Sequence, residues 1–256
     1  MLSRIEHDSI LELKLDRPPA NALNQALLSE LGSALEAAPG EGFEGVLLAG
    51  REGIFSGGLD VPELLGLDRD GIASMWREFF GVLRALAQSP IPVAAAVTGH
   101  SPAGGAVLTL YCDYRVMAEG DYRIGLNEVQ VGLTLSEAIY GPLRRLVGNR
   151  QAERLTVVGA LIPAAEAHRL GWIDELAPAG EVVERAVAHL QSMLALPRRA
   201  MLATRAVLRQ DLIRMIVSDR SSESDIVELW FSDETQRALR ALVDRLAEKR
   251  KVGQAG

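Results

Sequence analysis

The sequence is poor in cysteine and has no long apolar run. Its one cysteine, Cys112, cannot form a disulfide within the chain, and its place in the apolar segment 106–112 predicts a buried, inert thiol. Such cysteine usage is typical of a reducing compartment. No segment approaches the roughly 20 apolar residues of a membrane-spanning helix. Residues 1–8 have neither secretory-signal nor transit-peptide features, and 254–256 is not a peroxisomal tripeptide, so a cytoplasmic location is expected.

A basic surface and a metal-binding pattern are also missing. The formal net charge of −7 argues against nucleic acid as the main partner. The histidines, at positions 7, 100, 168 and 189, show no metal-ligand spacing and no carboxylate partner at helical reach, which favours surface or packing roles. Segment 40–45 fits the pattern G-x-G-x-x-G, but it follows a helical pattern and precedes a strand. A nicotinamide site requires the reverse order, so none is predicted.

Strand and helix patterns alternate through about the first 180 residues, and this predicts an α/β fold. With 48% hydrophobic and 24% charged residues, the chain can bury a large core. The clearest strand patterns lie at 9–15, 45–49 and 92–97, and the clearest helix patterns at 23–38 and 104–112.

Only helical patterns follow Glu181. They are interrupted near Pro197 and at 218–222, and the last one, at 235–251, has a basic final turn followed by Gly253. We therefore predict a core at 1–190 and a C-terminal helical segment at 191–256. Apolar residues between 227 and 246 have little chain nearby to cover them, which favours self-association.

Two glycine-bearing turns and one glutamate supply the groups that enolate chemistry requires. Gly104 and Gly105 are expected to open a helix, whose first N–H groups lack intrahelical acceptors. The turn Phe-Ser-Gly-Gly-Leu-Asp at 55–60 would leave the N–H of Leu59 pointing outward. Glu128, about twenty residues after the glycine pair, is the candidate base. In the alternative interpretation both glycine pairs are only turns and Glu128 is a surface strand residue.

Four separated segments resemble the crotonase superfamily, also called the enoyl-CoA hydratase/isomerase family. They are Phe-Ser-Gly-Gly-Leu-Asp at 55–60, Pro-Ala-Gly-Gly at 102–105, Cys-Asp-Tyr-Arg at 112–115 and Gly-Leu-Asn-Glu at 125–128. Within the superfamily they are most similar to the mitochondrial-type delta-3,delta-2-enoyl-CoA isomerases. Segment 17–24 looks like the family's first turn that contacts coenzyme A. The resemblance covers about the first 180 residues and is looser in the helical tail.

The resemblance implies a spiral of ββα turns with a C-terminal helical trimerisation segment, in a homotrimer or a dimer of trimers. It implies an acyl-CoA thioester substrate and no cofactor beyond the coenzyme A of that substrate. It places the catalytic base on Glu128 and the oxyanion hole on the N–H groups of Leu59 and Gly104. It also implies substrate-binding or CoA-binding positions at Arg17, Ala20, Ala22, Ser56, Gly57, Gly58, Leu59, Asp60, Val61, Gly104 and Asn127.

One departure from the family bears on the reaction. Hydratases of the family carry a second catalytic glutamate three positions after the glycine that matches Gly104, and here that position is Val107. Hydration requires a water held between two carboxylates, whereas one base can move a double bond. The expected activity is therefore conversion of a 3-enoyl-CoA to the 2-trans isomer, with Glu128 made more basic by burial. The alternatives are a hydratase or another crotonase-type enzyme, and an acyl-CoA-binding protein without turnover.

Several side chains keep two interpretations. Glu137 is either a second acid, next to the position that dienoyl-CoA isomerases and chlorobenzoyl-CoA dehalogenases use, or part of a capping box at 134–137, which is favoured. Asn127 either contacts substrate or ends a strand. Arg17 and the cluster 249–251 either meet CoA phosphates or are solvated. Four aromatic residues either line the acyl pocket or belong to the core, which is favoured: Trp76, Phe79, Phe80 and Tyr140.

Overall fold

Two β-sheets form the centre of the fold. The structure is a computed structural model that describes residues 1–217 and 223–253. The strands in these ranges are β1 Leu2–His7, β2 Ile10–Leu15, β3 Gly45–Ala49, β4 Gly53–Ile54, β5 Val93–Val97, β6 Gly99–Pro102, β7 Tyr114–Ala118, β8 Arg123–Gly125, β9 Ile162–Pro163 and β10 Glu175–Ala177. The larger sheet has the order β1-β2-β3-β5-β7-β10 and is parallel except for the β1–β2 hairpin. The smaller has the order β4-β6-β8-β9.

Helices cover both faces of the larger sheet. They are α1 Gln25–Ala37, α2 Val61–Leu64, α3 Arg69–Gln88, α4 Gly104–Leu110, α5 Glu137–Val147, α6 Asn149–Thr156, α7 Ala164–Arg169, α8 Val182–Leu194, α9 Arg198–Leu208, α10 Gln210–Val217, α11 Glu223–Trp230 and α12 Asp233–Gly253. Apolar side chains of α1 and α3 pack with one face of the sheet, and those of α8 pack with the other. The predicted α/β class is confirmed. None of the helices in the described ranges is long and apolar enough to cross a bilayer.

The strand predictions are confirmed to within one residue, and long-range contacts explain the other differences. The N-terminal pattern forms β2, but Glu12 is buried within it because helices cover both faces of the sheet. His7 lies 2.7 Å from the Glu12 carboxylate across the β1–β2 hairpin, a partner that helical spacing does not reveal. Helix α1 begins two residues later than predicted, since Asn24 caps it and Leu23 forms a bridge with Leu59.

The helical tail packs onto the core more closely than its sequence indicates. Position 190, the predicted boundary, lies inside α8, and the division into core and tail stays a prediction. The expectation of uncovered apolar faces after residue 227 is wrong for Val227, Trp230 and Leu239, which are buried within the one chain. Helix α12 begins two residues earlier than predicted and includes Gly253. Residues 218–222 and the side chains of 249–251 lie outside what the structure describes.

A buried ion cluster joins this tail to the end of α4. The carboxylate of Asp113 lies 2.9 Å from guanidinium nitrogens of both Arg205 and Arg209, and it accepts the N–H of Val93 at 2.8 Å. Burial alone would raise the pKa of Asp113, but the two guanidinium groups outweigh it and hold the pKa below its ordinary value. Burial raises the pKa of the adjacent Cys112 thiol to about 12, so the prediction of an inert thiol is confirmed.

Candidate active site

The turn at 55–60 is held by hydrogen bonds to residues 20–23. The N–H of Gly57 donates to the carbonyl of Ala20 at 2.8 Å, and the Ser56 hydroxyl donates to the carbonyl of Asn21 at 2.8 Å. Asn21 has a left-handed φ of 48°, which asparagine tolerates better than most residues, and its side-chain amide donates to the carbonyl of Phe55 at 3.1 Å. Two distant segments of the chain therefore form one rigid unit.

This pairing orients the amide of Leu59. The N–H of Leu23 donates to Gly58 O at 2.7 Å, and the N–H of Asp60 donates to Leu23 O at 2.9 Å, so Leu23 and Leu59 form a parallel bridge. Alternate amides of an extended segment point to opposite sides, and the N–H of Leu59 therefore points away from residues 20–23. It has no acceptor among the described residues.

The second glycine turn lies at the junction of β6 and α4. Strand β6 pairs with β4 on one side and β8 on the other, and the N–H of Ala103 donates to Gly125 O at 2.8 Å. Ala103 has a φ of 48°, an unfavourable value for a residue with a Cβ, which the paired strands impose. Gly104 then begins α4, as predicted. Its N–H likewise has no acceptor in the described part of the chain.

The two turns are in contact. A Cβ on Gly58 would lie 3.1 Å from Ala103 Cβ and 3.4 Å from Gly104 N. A Cβ on Gly105 would lie 2.8 Å from Ser56 O, closer than real side chains approach. The turns that carry Leu59 and Gly104 thus lie against each other, which is the arrangement that two N–H donors need in order to hold one developing oxyanion.

Glu128 begins a 3-10 helix, Glu128–Val131, that we call the Glu128 turn. The interpretation as a surface strand residue is wrong, because only 9% of Glu128 is exposed. Its Oε2 is buried without a hydrogen-bond partner among the described residues. Burial raises its pKa to about 7, and a hydrogen bond from its own backbone N–H acts weakly in the opposite direction. A carboxyl with this pKa can take and return a proton near neutral pH.

Chain geometry keeps Glu128 near the glycine turns. Gly125 accepts the N–H of Ala103, and three further residues can span no more than about 11 Å. Asn127 ends no strand, because β8 stops at Gly125. Instead it directly precedes the Glu128 turn, and its Oδ1 is buried without a partner in the described ranges.

The sequence offers two positions for a second catalytic acid, 107 and 137. Val107 is fully buried in α4, so the hydratase position holds no carboxylate. The capping box at 134–137 is wrong: α5 begins at Glu137 with Ser136 as N-cap, and the Ser136 hydroxyl caps no N–H. Glu137 is instead exposed and lies 2.6 Å from Arg144 on the same helix.

Arg17 joins the first CoA-contacting turn of the family pattern to α2. Its guanidinium lies 2.5 Å from Asp60 and 2.9 Å from Glu63, and it donates to the carbonyl of Ala22 at 3.1 Å. Asp60 caps α2, which begins at Val61. Glu63 was missed by sequence reasoning because its partner Arg17 is 46 residues away. Only the proline at the second position of α2 hints at a helix there.

Three of the four aromatic residues form one cluster beside Gly104. The rings of Trp76, Phe79 and Phe80 have centroids 5.7 to 5.9 Å apart, and Trp76 and Phe79 are buried. An atom of the Phe79 ring would lie 3.4 Å from a Cβ on Gly104. Tyr140 lies apart from them on α5, under the guanidinium of Arg144. The core interpretation is confirmed for Trp76 and Phe79, and their cluster gives the Gly104 turn an apolar wall.

Comparisons with known proteins identify the family of the chain. The profile of the family described as "Enoyl-CoA hydratase/isomerase" matches residues 6–254. The chain belongs to that family. It is 33% identical to human "Enoyl-CoA delta isomerase 1, mitochondrial" over 242 residues, which cover 93% of this chain and 80% of the human protein. It is 29% identical to a "Probable enoyl-CoA hydratase" of Rhizobium meliloti, covering 88% of this chain and 87% of that one.

Solved structures of the enoyl-CoA hydratase/isomerase family have the same fold. The crystal structure of human mitochondrial delta3-delta2-enoyl-CoA isomerase matches with a TM-score of 0.90 at 32% identity, and the match covers 97% of this chain and 98% of the human one. The chain therefore has the crotonase fold with its C-terminal helices, and it is a crotonase-type enzyme acting on acyl-CoA substrates. Relatives of both activities are similar to it, so the choice between isomerisation and hydration depends on the site itself.

The contact between the two turns predicts opposite effects for alanine at two glycines. Gly105→Ala should lower the free energy of unfolding by about 1–3 kcal/mol and reduce turnover, because the new methyl group would push Ser56 away from α4. Gly81→Ala is the matched control: apart from the nearby backbone of α3 itself, no described atom lies within 4 Å of its Cβ position, so it should stabilise the protein by about 0.5–1 kcal/mol. Urea unfolding measures both. Equal stability of the two variants would contradict the close approach.

Proposed function

We propose that this enzyme is a delta-3,delta-2-enoyl-CoA isomerase that converts a 3-enoyl-CoA to the 2-trans-enoyl-CoA. One observation carries the proposal. Glu128 is a buried carboxyl with a pKa of about 7 that follows within three residues the strand paired to the Gly104 turn; the N–H groups of Leu59 and Gly104 have no acceptor among the described residues, and the second-acid position holds Val107. This set of groups suits a reaction that removes and returns one proton and adds no water.

In the first step the thioester oxygen accepts hydrogen bonds from the N–H groups of Leu59 and Gly104. The Glu128 carboxylate removes a proton from C2, and the electron pair of that C–H bond moves into a dienolate spread over the oxygen, C2 and C4. Each N–H stabilises the negative oxygen more than the neutral carbonyl, and each could contribute a factor of about 10²–10³ in rate.

In the second step the same carboxyl group acts as the acid. Protonated Glu128 delivers its proton to C4, the dienolate collapses, and the double bond now lies between C2 and C3. Because the proton leaves and returns through one group, no second carboxylate is needed. The apolar wall of Trp76, Phe79 and Phe80 favours the diffuse charge of a dienolate over a tightly hydrated ion.

The coenzyme A part of the substrate is proposed to lie against the unit formed by residues 20–23 and 55–60. The family pattern places its contacts at Ala20 and Ala22 and on the glycine turn from Ser56 to Val61. Arg17 is already paired with Asp60 and Glu63, so we assign it to holding this unit together rather than to binding phosphate. Asn127, with its buried free Oδ1, is proposed to contact the substrate beside Glu128.

The base is tested by Glu128→Gln, which keeps the size of the side chain and removes its basicity. Turnover of a 3-enoyl-CoA should fall at least about 10²-fold with little change in KM. In the native enzyme kcat should fall as pH drops below about 7, because only the ionised carboxylate can remove the C2 proton. Steady-state kinetics across pH 5 to 9 measure both effects.

Glu137→Gln is the matched control for this substitution. Glu137 is exposed and paired with Arg144, so its replacement should leave both kcat and the acid limb of the pH profile unchanged. If Glu128→Gln retained its activity while Glu137→Gln lost it, the role of base would move to Glu137.

The choice of reaction is tested by comparing two substrates on the native protein. Isomerisation of a 3-enoyl-CoA should be much faster than hydration of a 2-enoyl-CoA, because one carboxylate cannot both hold a water and manage both protons. Val107→Glu should raise the hydration rate in protein that folds, at a cost of several kcal/mol in stability, because the new carboxylate is buried and unpaired. Hydration as fast as isomerisation in the native protein would contradict the single-base argument and make Glu137 the leading candidate for a second acid.

We propose the homotrimer or dimer of trimers that the family resemblance implies, and apolar side chains that the single chain leaves exposed support self-association. They lie in and near α6 and α8–α10: Val157, Val158, Leu196, Val207, Leu208 and Val217. Single exposed apolar residues are normal, but α9 and α10 contact each other and together expose Val207, Leu208 and Val217, which favours a protein partner. Light scattering should give three or six times the 27.6 kDa mass of one chain. A monomer at micromolar concentration would contradict the proposal.

A further inference from the structure

Helix α12 packs against both elements that carry the site. It contacts the Glu128 turn, and it contacts α2, which follows Leu59 within two residues. The start of α12 is buried there: Thr235 has 1% exposure and Leu239 none. The C-terminal helix of the chain therefore lies over the region between the base and the oxyanion donors.

One hydroxyl fixes this contact. Thr235 Oγ1 donates to Gly132 O at 2.9 Å and accepts from Ser232 Oγ at 3.1 Å, while the Thr235 N–H donates to Ser232 Oγ at 3.3 Å. We call these three bonds the Thr235 latch. Gly132 has a φ of 76° and ends the Glu128 turn. A Cβ on Gly132 would lie 2.8 Å from Thr235 Oγ1 and 3.0 Å from Thr235 Cα, so the helix backbone lies directly against the turn.

The turn that the latch holds also fixes the backbone of the base. The carbonyl of Glu128 accepts the N–H of Leu133 at 3.1 Å, and Leu133 directly follows Gly132. The Oε2 of the Glu128 side chain has no partner in the described ranges, and the hydrogen bond that the carboxyl does receive comes from its own backbone N–H. Its direction therefore depends on how its backbone is held.

We propose that Thr235 is a positioning residue, whose hydroxyl holds the Glu128 turn in place and keeps water away from the carboxyl. This inference rests on the proposed function for its kinetic consequence. Its structural consequence, the solvation and titration of Glu128, is independent of the substrate.

The test compares Thr235→Val, which keeps the shape and removes the hydroxyl, with Thr235→Ser, which keeps the hydroxyl. Thr235→Val should lower kcat about tenfold and change KM less than about twofold, because a displaced base affects the transition state more than binding. The acid limb of the pH profile of this variant should move to lower pH, since water that enters beside Glu128 favours the ionised carboxylate and lowers its pKa. Thr235→Ser should restore the native kcat and acid limb.

The control is Thr156→Val, which removes another buried hydroxyl, one that donates to Ala152 O within α6 at 2.8 Å. It should change neither kcat nor the acid limb. If Thr235→Val and Thr156→Val gave the same kcat and the same acid limb, the proposal would be wrong. If Thr235→Val does not fold, Ser232→Ala replaces it as the test, because it removes the hydroxyl that donates to Thr235 Oγ1. Ser232→Ala should move the acid limb of the pH profile to lower pH. An acid limb at the native pH would overturn the proposal.

A readout without substrate separates this inference from the proposed function. The carbon-13 signal of the Glu128 carboxyl, assigned by its loss in Glu128→Gln, should titrate at lower pH in Thr235→Val than in the native protein. If that shift occurs in a protein that does not isomerise 3-enoyl-CoA, the proposed function fails and the latch stands. If the native protein isomerises 3-enoyl-CoA and Thr235→Val moves neither the titration nor kcat, the latch fails and the proposed function stands.

Discussion

The close approach of two backbone turns is the constraint on which the site depends. The start of α4 can lie against the 55–60 turn only because Gly105 presents no Cβ to the carbonyl of Ser56. Gly58 meets Ala103 and Gly104 for the same reason. Because both turns are also anchored elsewhere, one to residues 20–23 and the other to β8, neither can move alone. On the proposed function, the amide groups of Leu59 and Gly104, which lie far apart in sequence, are thereby oriented before any ligand arrives, and such preorganisation makes hydrogen-bond donors effective.

The same arrangement contains features that cost stability. Ala103 has a left-handed φ, worth about 1–3 kcal/mol of strain, and Glu128 is buried without an ion-pair partner among the residues that the structure describes. Well-packed surroundings can impose such features. Here the segment that directly follows α4 is held in place by the ion cluster of Asp113, Arg205 and Arg209. The cluster matters for the site because Asp113 lies three residues after the end of α4. Its contribution is present at neutral pH and is lost as pH falls through the lowered pKa of Asp113.

Sequence reasoning succeeded where the signal was local. Strands β3 and β5, the helix that opens at Gly104 and the two glycine turns follow from short patterns, and the family resemblance singled out Glu128 for chemistry. Sequence reasoning failed where the environment of a residue depends on a contact with a residue distant in sequence. The burial of Glu12 follows only from the helices that cover both faces of the sheet. Thr134 to Glu137 matches a capping box, but nothing in those four residues shows that α5 starts only at Glu137. The burial of Trp230 against α3 likewise depends on chain more than 100 residues away.

On the proposed chemistry, the lack of partners around Glu128 is a requirement. A group that must first take a proton and then return it needs a pKa between those of a strong acid and a strong base. An arginine beside it would lower the pKa and keep it ionised, and a nearby carboxylate would raise the pKa and keep it protonated. Burial, opposed by a hydrogen bond from the backbone N–H of Glu128 itself, gives the intermediate value of about 7. A carboxyl that cannot be tied down by charged neighbours has to be oriented through its backbone, and this explains why a short 3-10 turn with a fixed end is well suited to carry it.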